Sequence, residues 1–486
     1  MLSANGPTML NRRRFLGDAG ALMSSLALVP LLAQEGLLAA APGFRPMIDP
    51  ARPYAPRPPQ RPAMADQLLI IFCPGGISHI DAWDYKPELA RHDGEDPPNA
   101  PKVTFMGPVG KLAQPLWTFR PRGESGKMLS DLLPNLAGLA DDMCFVHSLT
   151  AKSSAHTQAE YFLSTGFVFE GYPSLGAWTT YALGTVNQNL PAYVAITDPR
   201  GRTDAGTNNW GSGFLPATFQ ATTFNAATPP GNLTPSTRYS AANDKGAREL
   251  LATLNDAHFE RYPGDTDLAA RIASYELAGR MQTSVPLLMD LSQEPDHLHR
   301  AYGTDSTDPI KSGYARNCLL ARRLLESGVR VVQLFNGAGN NGGQTNWDNH
   351  TQLLQRHGAR AEVFDQPTAA MLCDMKQRGL LERTLVVCCT EFGRMPFMQA
   401  NDNGRDHNID GFTCWLMGAG VKPGFSYGAT DELGWKAVEN VATLYDLNAT
   451  ILRILGFDHE QMTFYHNGAK RRLTDVHGRV LDGVLS

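Results

Sequence analysis

Leu380-Leu381-Glu382-Arg383-Thr384-Leu385-Val386-Val387-Cys388-Cys389-Thr390-Glu391-Phe392-Gly393-Arg394 is the stretch that decides the fold class. An amphipathic helix reads over Thr368–Gly379 and stops at Gly379. The apolar run Leu385–Thr390 follows as a strand and ends abruptly in Glu391 and Arg394. A strand apolar at nearly every position is buried on both faces, and a helix leading into it is the repeating unit of a parallel sheet. Outward from this stretch the same alternation recurs. Strands read at Leu68–Cys73, Cys144–His147, Tyr193–Ile196, Val329–Phe335 and Thr413–Met417. Helices read at Leu132–Ala140, Ala159–Ser164, Leu175–Leu183, Asp267–Met281, Tyr314–Ser327 and Val441–Leu455. Ser130 and Asp131 would cap the first of these, and Gly328 stops the helix before Val329. The expectation is an α/β fold with a mainly parallel sheet covered by helices on both faces.

Hydrophobic residues make up 42% of the 486 and charged residues 19%, enough for a large core. A net charge of −5 speaks against nucleic acid or an anionic membrane surface as the main partner. At the start, Asn11-Arg12-Arg13-Arg14-Phe15-Leu16 matches the twin-arginine pattern. A mildly apolar stretch, Ala19 to Leu38, follows, and then Ala39-Ala40-Ala41. Pro30, Gln34 and Glu35 interrupt that stretch, and about 20 clean apolar residues are needed to span a bilayer. Residues 1–41 therefore read as an export signal, with membrane contact only during export and a destination in the periplasm or cell envelope. Eight prolines between Pro42 and Pro62 predict an extended linker over 42–65. The domain then runs over 66–486, with a loop-rich insertion at 198–245 that lacks periodicity. The cysteines number seven, most lie in apolar runs, and no zinc-type spacing occurs among them. A protein folded in the reducing cytoplasm before export has no need of disulfides.

Sites in parallel α/β sheets form at the carboxyl ends of strands. After Leu68–Cys73 comes Pro74-Gly75-Gly76-Ile77-Ser78-His79-Ile80-Asp81, with Asp84 just beyond. After Cys144–His147 come Ser153, Ser154, His156 and Thr157; after Val329–Phe335, a Gly/Asn-rich loop ends in Trp347-Asp348-Asn349-His350. After Leu385–Thr390 come Glu391 and Arg394, then Gly404-Arg405-Asp406-His407. Carboxylates and imidazoles are ligands for zinc, manganese or calcium, and Arg394 and Arg405 could grip an anionic ester in bidentate fashion. Each group also has a structural use. Asp348 and His350 could shape a turn, Glu391 could pair with an arginine, and His407 could be a satisfied core histidine.

These same residues resemble a known family, domain of unknown function 1501. The resemblance rests on Gly75-Gly76-Ile77-Ser78-His79-Ile80-Asp81, Ser130-Asp131-Leu132-Leu133-Pro134, Pro173-Ser174-Leu175-Gly176-Ala177-Trp178, Tyr275-Glu276-Leu277-Ala278 and Ala321-Arg322-Arg323-Leu324. Glu391-Phe392-Gly393-Arg394, Gly404-Arg405-Asp406-His407 and Arg472-Leu473-Thr474-Asp475-Val476-His477-Gly478 extend it to the C-terminal end. That family looks like a branch of the alkaline-phosphatase-like superfamily of sulfatases, phosphatases and phosphodiesterases. The resemblance implies that Glu391 stands on the superfamily's metal-binding aspartate, Phe392 on its histidine ligand and His407 near its later histidine ligand. Ser164-Thr165-Gly166 resembles the close of the sulfatase nucleophile helix, and ten residues before Gly166 stands His156. The first strand of the superfamily ends in a metal-binding aspartate, where this chain has Pro74 and Gly75, so Asp81 or Asp84 would have to reach back. No Cys-x-Pro-x-Arg run exists, which excludes a formylglycine sulfatase.

The leading expectation is an exported metal-dependent hydrolase acting on a phosphate or sulfate ester. Asp348, His350, Glu391, His407 and Asp81 would hold the metal, Arg394 and Arg405 the anion, and His156, Ser153, Ser154 or Thr157 would attack. The competing expectation is a non-catalytic binding or scaffold protein with a partner in the cell envelope, which kept the fold and lost the full metal set. A third is a carbohydrate-binding module using Trp210, Trp347 and Trp415 as a platform.

Overall fold

The computed structural model describes residues 44–49, 52–104, 107–230, 241–262, 266–339, 344–400 and 402–486, so the candidate signal at 1–41 lies outside the described residues. In chain order the principal strands are β1 (Gln67–Phe72), β2 (Gly107–Leu112), β3 (Met143–Thr150), β4 (Tyr193–Ile196), β5 (Thr222–Phe224), β6 (Val331–Phe335), β7 (Thr384–Cys389), β8 (Gly393–Gln399), β9 (Arg405–Asn408) and β10 (Phe412–Gly418). The principal helices are α1 (His156–Thr165), α2 (Leu175–Leu183), α3 (Ala241–Arg261), α4 (Thr266–Met289), α5 (Pro309–Glu326), α6 (Leu353–Gln377) and α7 (Leu444–Ile454).

A nine-stranded sheet runs in the order β3, β10, β7, β1, β6, β4, β5, with Ser426–Tyr427 and Ala442–Thr443 on the outer side of β3. All of it runs one way except β10, which is antiparallel to both β7 and β3. The fold is thus α/β with a mainly parallel sheet, as the alternation of apolar runs and helices predicts. β1 is central and buried at every residue, because helices cover both faces. Its one polar residue, Gln67, is satisfied by donating to the Leu325 and Val329 carbonyls where α5 ends. Asp308 caps α5 by accepting from Ile310 N, and Gly328, at φ +87°, ends it.

Several elements depart from the sequence reading. The helix expected at Leu132–Ala140 shrinks to Pro134–Ala137 followed by a 3-10 turn at Ala140–Asp142, because a proline fits only at a helix start. α6 begins well before Thr368 and carries Pro367 inside it. α7 starts only at Leu444, since Ala442–Thr443 first pair with β3 and Thr443 then forms a capping box with Asp446. The stretch read as coil holds edge strand β5 and turns at Gly206–Trp210 and Ala217–Phe219; residues 231–240 lie outside the described set. The linker is no free tether either: residues from Arg45 onward belong to the same compact unit as the domain. The Arg57 N–H donates to the Leu183 carbonyl and its guanidinium to those of Tyr181 and Ala182, at the end of a helix, and to that of Thr180, which the Gly184 N–H also reaches. Trp210, Trp347 and Trp415 are buried at 3%, 0% and 1% exposure, so they form no carbohydrate platform; their rings serve the interior. All seven cysteines are free, and all but Cys373 are buried.

Candidate metal centre

The parallel strands aim their carboxyl ends at one place. β3 leads through Ser153 and Ser154 into His156 at the start of α1, β6 into the loop bearing Asp348 and His350, and β7 into Glu391. A second, smaller sheet supplies the rest: β8 pairs with β9 in antiparallel register, Arg394 opposite His407. Gly75, just past β1, has φ +102°, and a Cβ there would stand 2.5 Å from Asp348 N. The absence of a side chain lets the Asp348 loop lie against the end of β1.

Asp348 is the hub. Its Oδ2 lies 3.2 Å from His156 Nε2, and its Oδ1 lies 2.9 Å from His350 Nε2, 3.1 Å from His407 Nε2 and 2.7 Å from Arg394 Nη2. Burial would raise this carboxyl, but Arg394 and the three imidazoles hold it well below the usual carboxylate range. His156 Nδ1 sits 2.8 Å from Glu391 Oε1. Burial disfavours the charged ring, yet the two carboxylates win and push His156 up to about 10. His407 Nδ1 donates to the Ser154 carbonyl at 2.6 Å, which turns its Nε2 lone pair toward Asp348. Burial first, then Arg394, pushes His407 down to about 3. His350 Nδ1 likewise meets the Gln399 side-chain oxygen at 3.1 Å, and its Nε2 lies 2.9 Å from His407 Nε2. Two overlapping donor groups result, His156–Asp348–His407 and His350–Asp406–His407, each with its ligand atoms within 4.8 Å of one another. Lone pairs of two imidazoles crowding one carboxylate oxygen are the donor chemistry of a divalent cation of the zinc or manganese kind; calcium prefers oxygen alone.

The other sequence candidates lie nearby with different duties. Glu391 stands behind His156 and outside both donor groups; its Oε1 accepts from Gly75 N at 2.7 Å and its Oε2 from the Thr390 hydroxyl. Asp81 is withdrawn from the centre, because Arg405 Nε, the Ser78 hydroxyl and Leu116 N occupy its carboxylate. Asp84 pairs with Lys86, and His79 bonds the Gly434 carbonyl. Arg394 and Arg405, both 0% exposed, are no anion clamps. Arg394 spends its donors on Asp348 and the Gly75, Gly76 and Arg405 carbonyls. Arg405 spends its own on Asp81 and the Met395, Ala113 and Gln114 carbonyls. The Ser153 hydroxyl accepts from Ala155 N.

Other contributors escaped the sequence reading. Asp406 stands in the quoted Gly404–His407 run, where its adjacency to His407 was the available signal, and it braces His407 by accepting from that residue's N–H. His357 donates to Asn349 and accepts from Ser78 N, supporting the loop from behind with no local signal at all. Glu160, one turn along α1 from His156, is fully buried on Asn209 and Ala205 N; burial first, then Glu391, raises it to about 8. Phe392 packs its ring against His156 and His407, at centroid distances of 5.0 and 4.3 Å.

Comparison with known proteins adds the following. The family described as "Protein of unknown function (DUF1501)" matches residues 65–485. No curated protein matches the chain in sequence. Among solved structures, the lipoteichoic acid synthase LtaP from Listeria monocytogenes is 9% identical at TM-score 0.34, over 84% of this chain and 74% of that one. The PsFucS1 sulfatase from Pseudoalteromonas sp. is 11% identical at 0.33, over 84% and 74%. A protein in the alkaline phosphatase superfamily from Vibrio parahaemolyticus is 10% identical at 0.35, over 86% and 73%. Scores this low carry no site chemistry from those proteins to this one.

Proposed function

We propose that this chain, which belongs to the DUF1501 family, is a metal-dependent hydrolase acting on a phosphate or sulfate ester. One observation carries the reading: the Nε2 atoms of His350 and His407 and a carboxylate oxygen of Asp348 converge, with His156 on the carboxylate's other oxygen. A divalent ion held by His156, Asp348, His407 and His350 would polarise the ester oxygen and offset charge building in the transition state. The chain's own groups do the rest. Glu391 and Gly75 N fix the His156 ring, and Ser154 and Asp406 fix His407. Both nitrogens of His156 face carboxylates, which suits a ligand and proton store better than a nucleophile. The hydroxyls of Ser154 and Thr157, or a water, are then the attacking candidates at the start of α1, where free backbone N–H groups favour an anion. The twin-arginine pattern supports export to the periplasm or cell envelope as part of the same proposal.

A scaffold reading has its own support. Arg394 places a protein cation 2.7 Å from the Asp348 oxygen that both imidazoles share. Metal analysis separates the two readings. Protein purified without chelator should carry a stoichiometric divalent metal, and Asp348→Asn should lower its affinity by about 100-fold or more. The wild type should turn over an activated aryl phosphate or sulfate. Metal-free wild type with no turnover would leave the scaffold reading standing.

A further inference from the structure

At the end of β4, the neighbour of β6, the same carboxyl edge of the sheet holds a second concentration of charge. Asp198, just past β4, binds Arg200 in bidentate fashion, Oδ1 to Nε at 2.6 Å and Oδ2 to Nη2 at 2.8 Å, and also accepts from Gly337 N at 2.7 Å. The Arg200 side chain is 8% exposed and that of Asp198 0%. Asp198 is thereby spent on one arginine. Yet Arg360, on α6, brings a second guanidinium within electrostatic reach of Arg200; burial first, then Arg200, pushes it down to about 10, against the opposite pull of Asp198 and Asp308. Among the described residues no carboxylate pairs with Arg360. Its Nε and Nη1 are buried without a hydrogen-bond partner, and so is Nη1 of Arg200. Two guanidinium groups within electrostatic reach of each other, with three N–H-bearing nitrogens buried and unpartnered, is an arrangement that folded proteins avoid unless something occupies it. The place suits a ligand: the turn after β4 meets the loop after β6, with Gly339 N donating to the Arg202 carbonyl at 2.6 Å.

We propose that Arg200 and Arg360 form an oxyanion site, which takes a carboxylate, sulfate or phosphate across their unpartnered nitrogens. The oxyanion is either a free inorganic ion or a group on a larger ligand. The site is independent of the metal centre and of the hydrolase reading. Inorganic sulfate is titrated calorimetrically into the full chain in the presence of chelator, with ionic strength held constant by chloride. Saturable binding is expected, together with a Tm that rises with sulfate beyond any rise with chloride. Arg360→Gln should weaken that binding about tenfold or more, and Arg360→Lys, which keeps the charge and loses the planar fork, by less. A sulfated monosaccharide binding tighter than sulfate assigns the group to a larger ligand; equal binding assigns a free ion. On the wild type alone, sulfate should slow phenylglyoxal modification of Arg360, read by peptide mass spectrometry. Sulfate acting no differently from chloride, unchanged binding by Arg360→Gln, or no protection of Arg360 overturns the proposal. Because chelator is present throughout, failure of the metal reading leaves this test intact.

Discussion

Gly404 stands where β9 passes the loop that carries Asp348 and His350, and a Cβ there would overlap the His350 carbonyl and crowd Thr351 N. Both neighbours are backbone, so neither can swing aside. Gly404→Ala should cost about 2–3 kcal/mol and part His350 from His407, lowering metal content alongside Tm. A variant with wild-type Tm and metal content would show that the loop yields. At this scale the sequence announces residue types and hides contacts. Asp348, His350 and His407 stand out because few other side chains bind metals. Arg394 looks equally functional, and a formal charge says nothing of its burial against Gly75, Gly76 and Asp348. The need for glycine at 404 is invisible until two distant segments touch.

α2 ends in the Tyr181, Ala182 and Leu183 carbonyls, and Arg57 donates to all three from outside the helix, and to that of Thr180, which the Gly184 N–H already caps. Arg57→Ala should therefore destabilise the fold by about 1–3 kcal/mol, and Arg57→Lys by less, since the longer reach is kept and the fork lost. Denaturant melts of the two variants check this; equal stability of wild type and Arg57→Ala would return the proline-rich stretch to the status of a loose tether. Elements whose stop signals are local were legible: α2 matches its expected span, and Gly328 and Gly379 sit in left-handed conformations where helices end. Elements with a proline were not. Pro134 cuts one helix short while Pro367 lies within another, and the difference rests on whether neighbours compensate for the missing N–H.

For the whole molecule, the paired Arg12-Arg13 followed by Phe15-Leu16 carries the proposal of export. Replacing both Arg12 and Arg13 with lysine should leave a reporter fused behind Pro62 in the cytoplasm; undiminished export of that double variant would end the twin-arginine proposal. Among the described residues no helix is long and apolar enough to cross a membrane. The sequence by itself determined the α/β class, the places of the central strands along the chain and the fact that acids and histidines follow them, because apolar periodicity and strand ends are written locally in the chain. Only the tertiary structure decided which of those groups meet. It drew His156, His350 and His407 onto Asp348 from β3, β6 and β9, and turned Asp81 and Arg405 toward each other. Such pairings depend on how strands and loops far apart in sequence cross in space, and no local pattern encodes a distance between them.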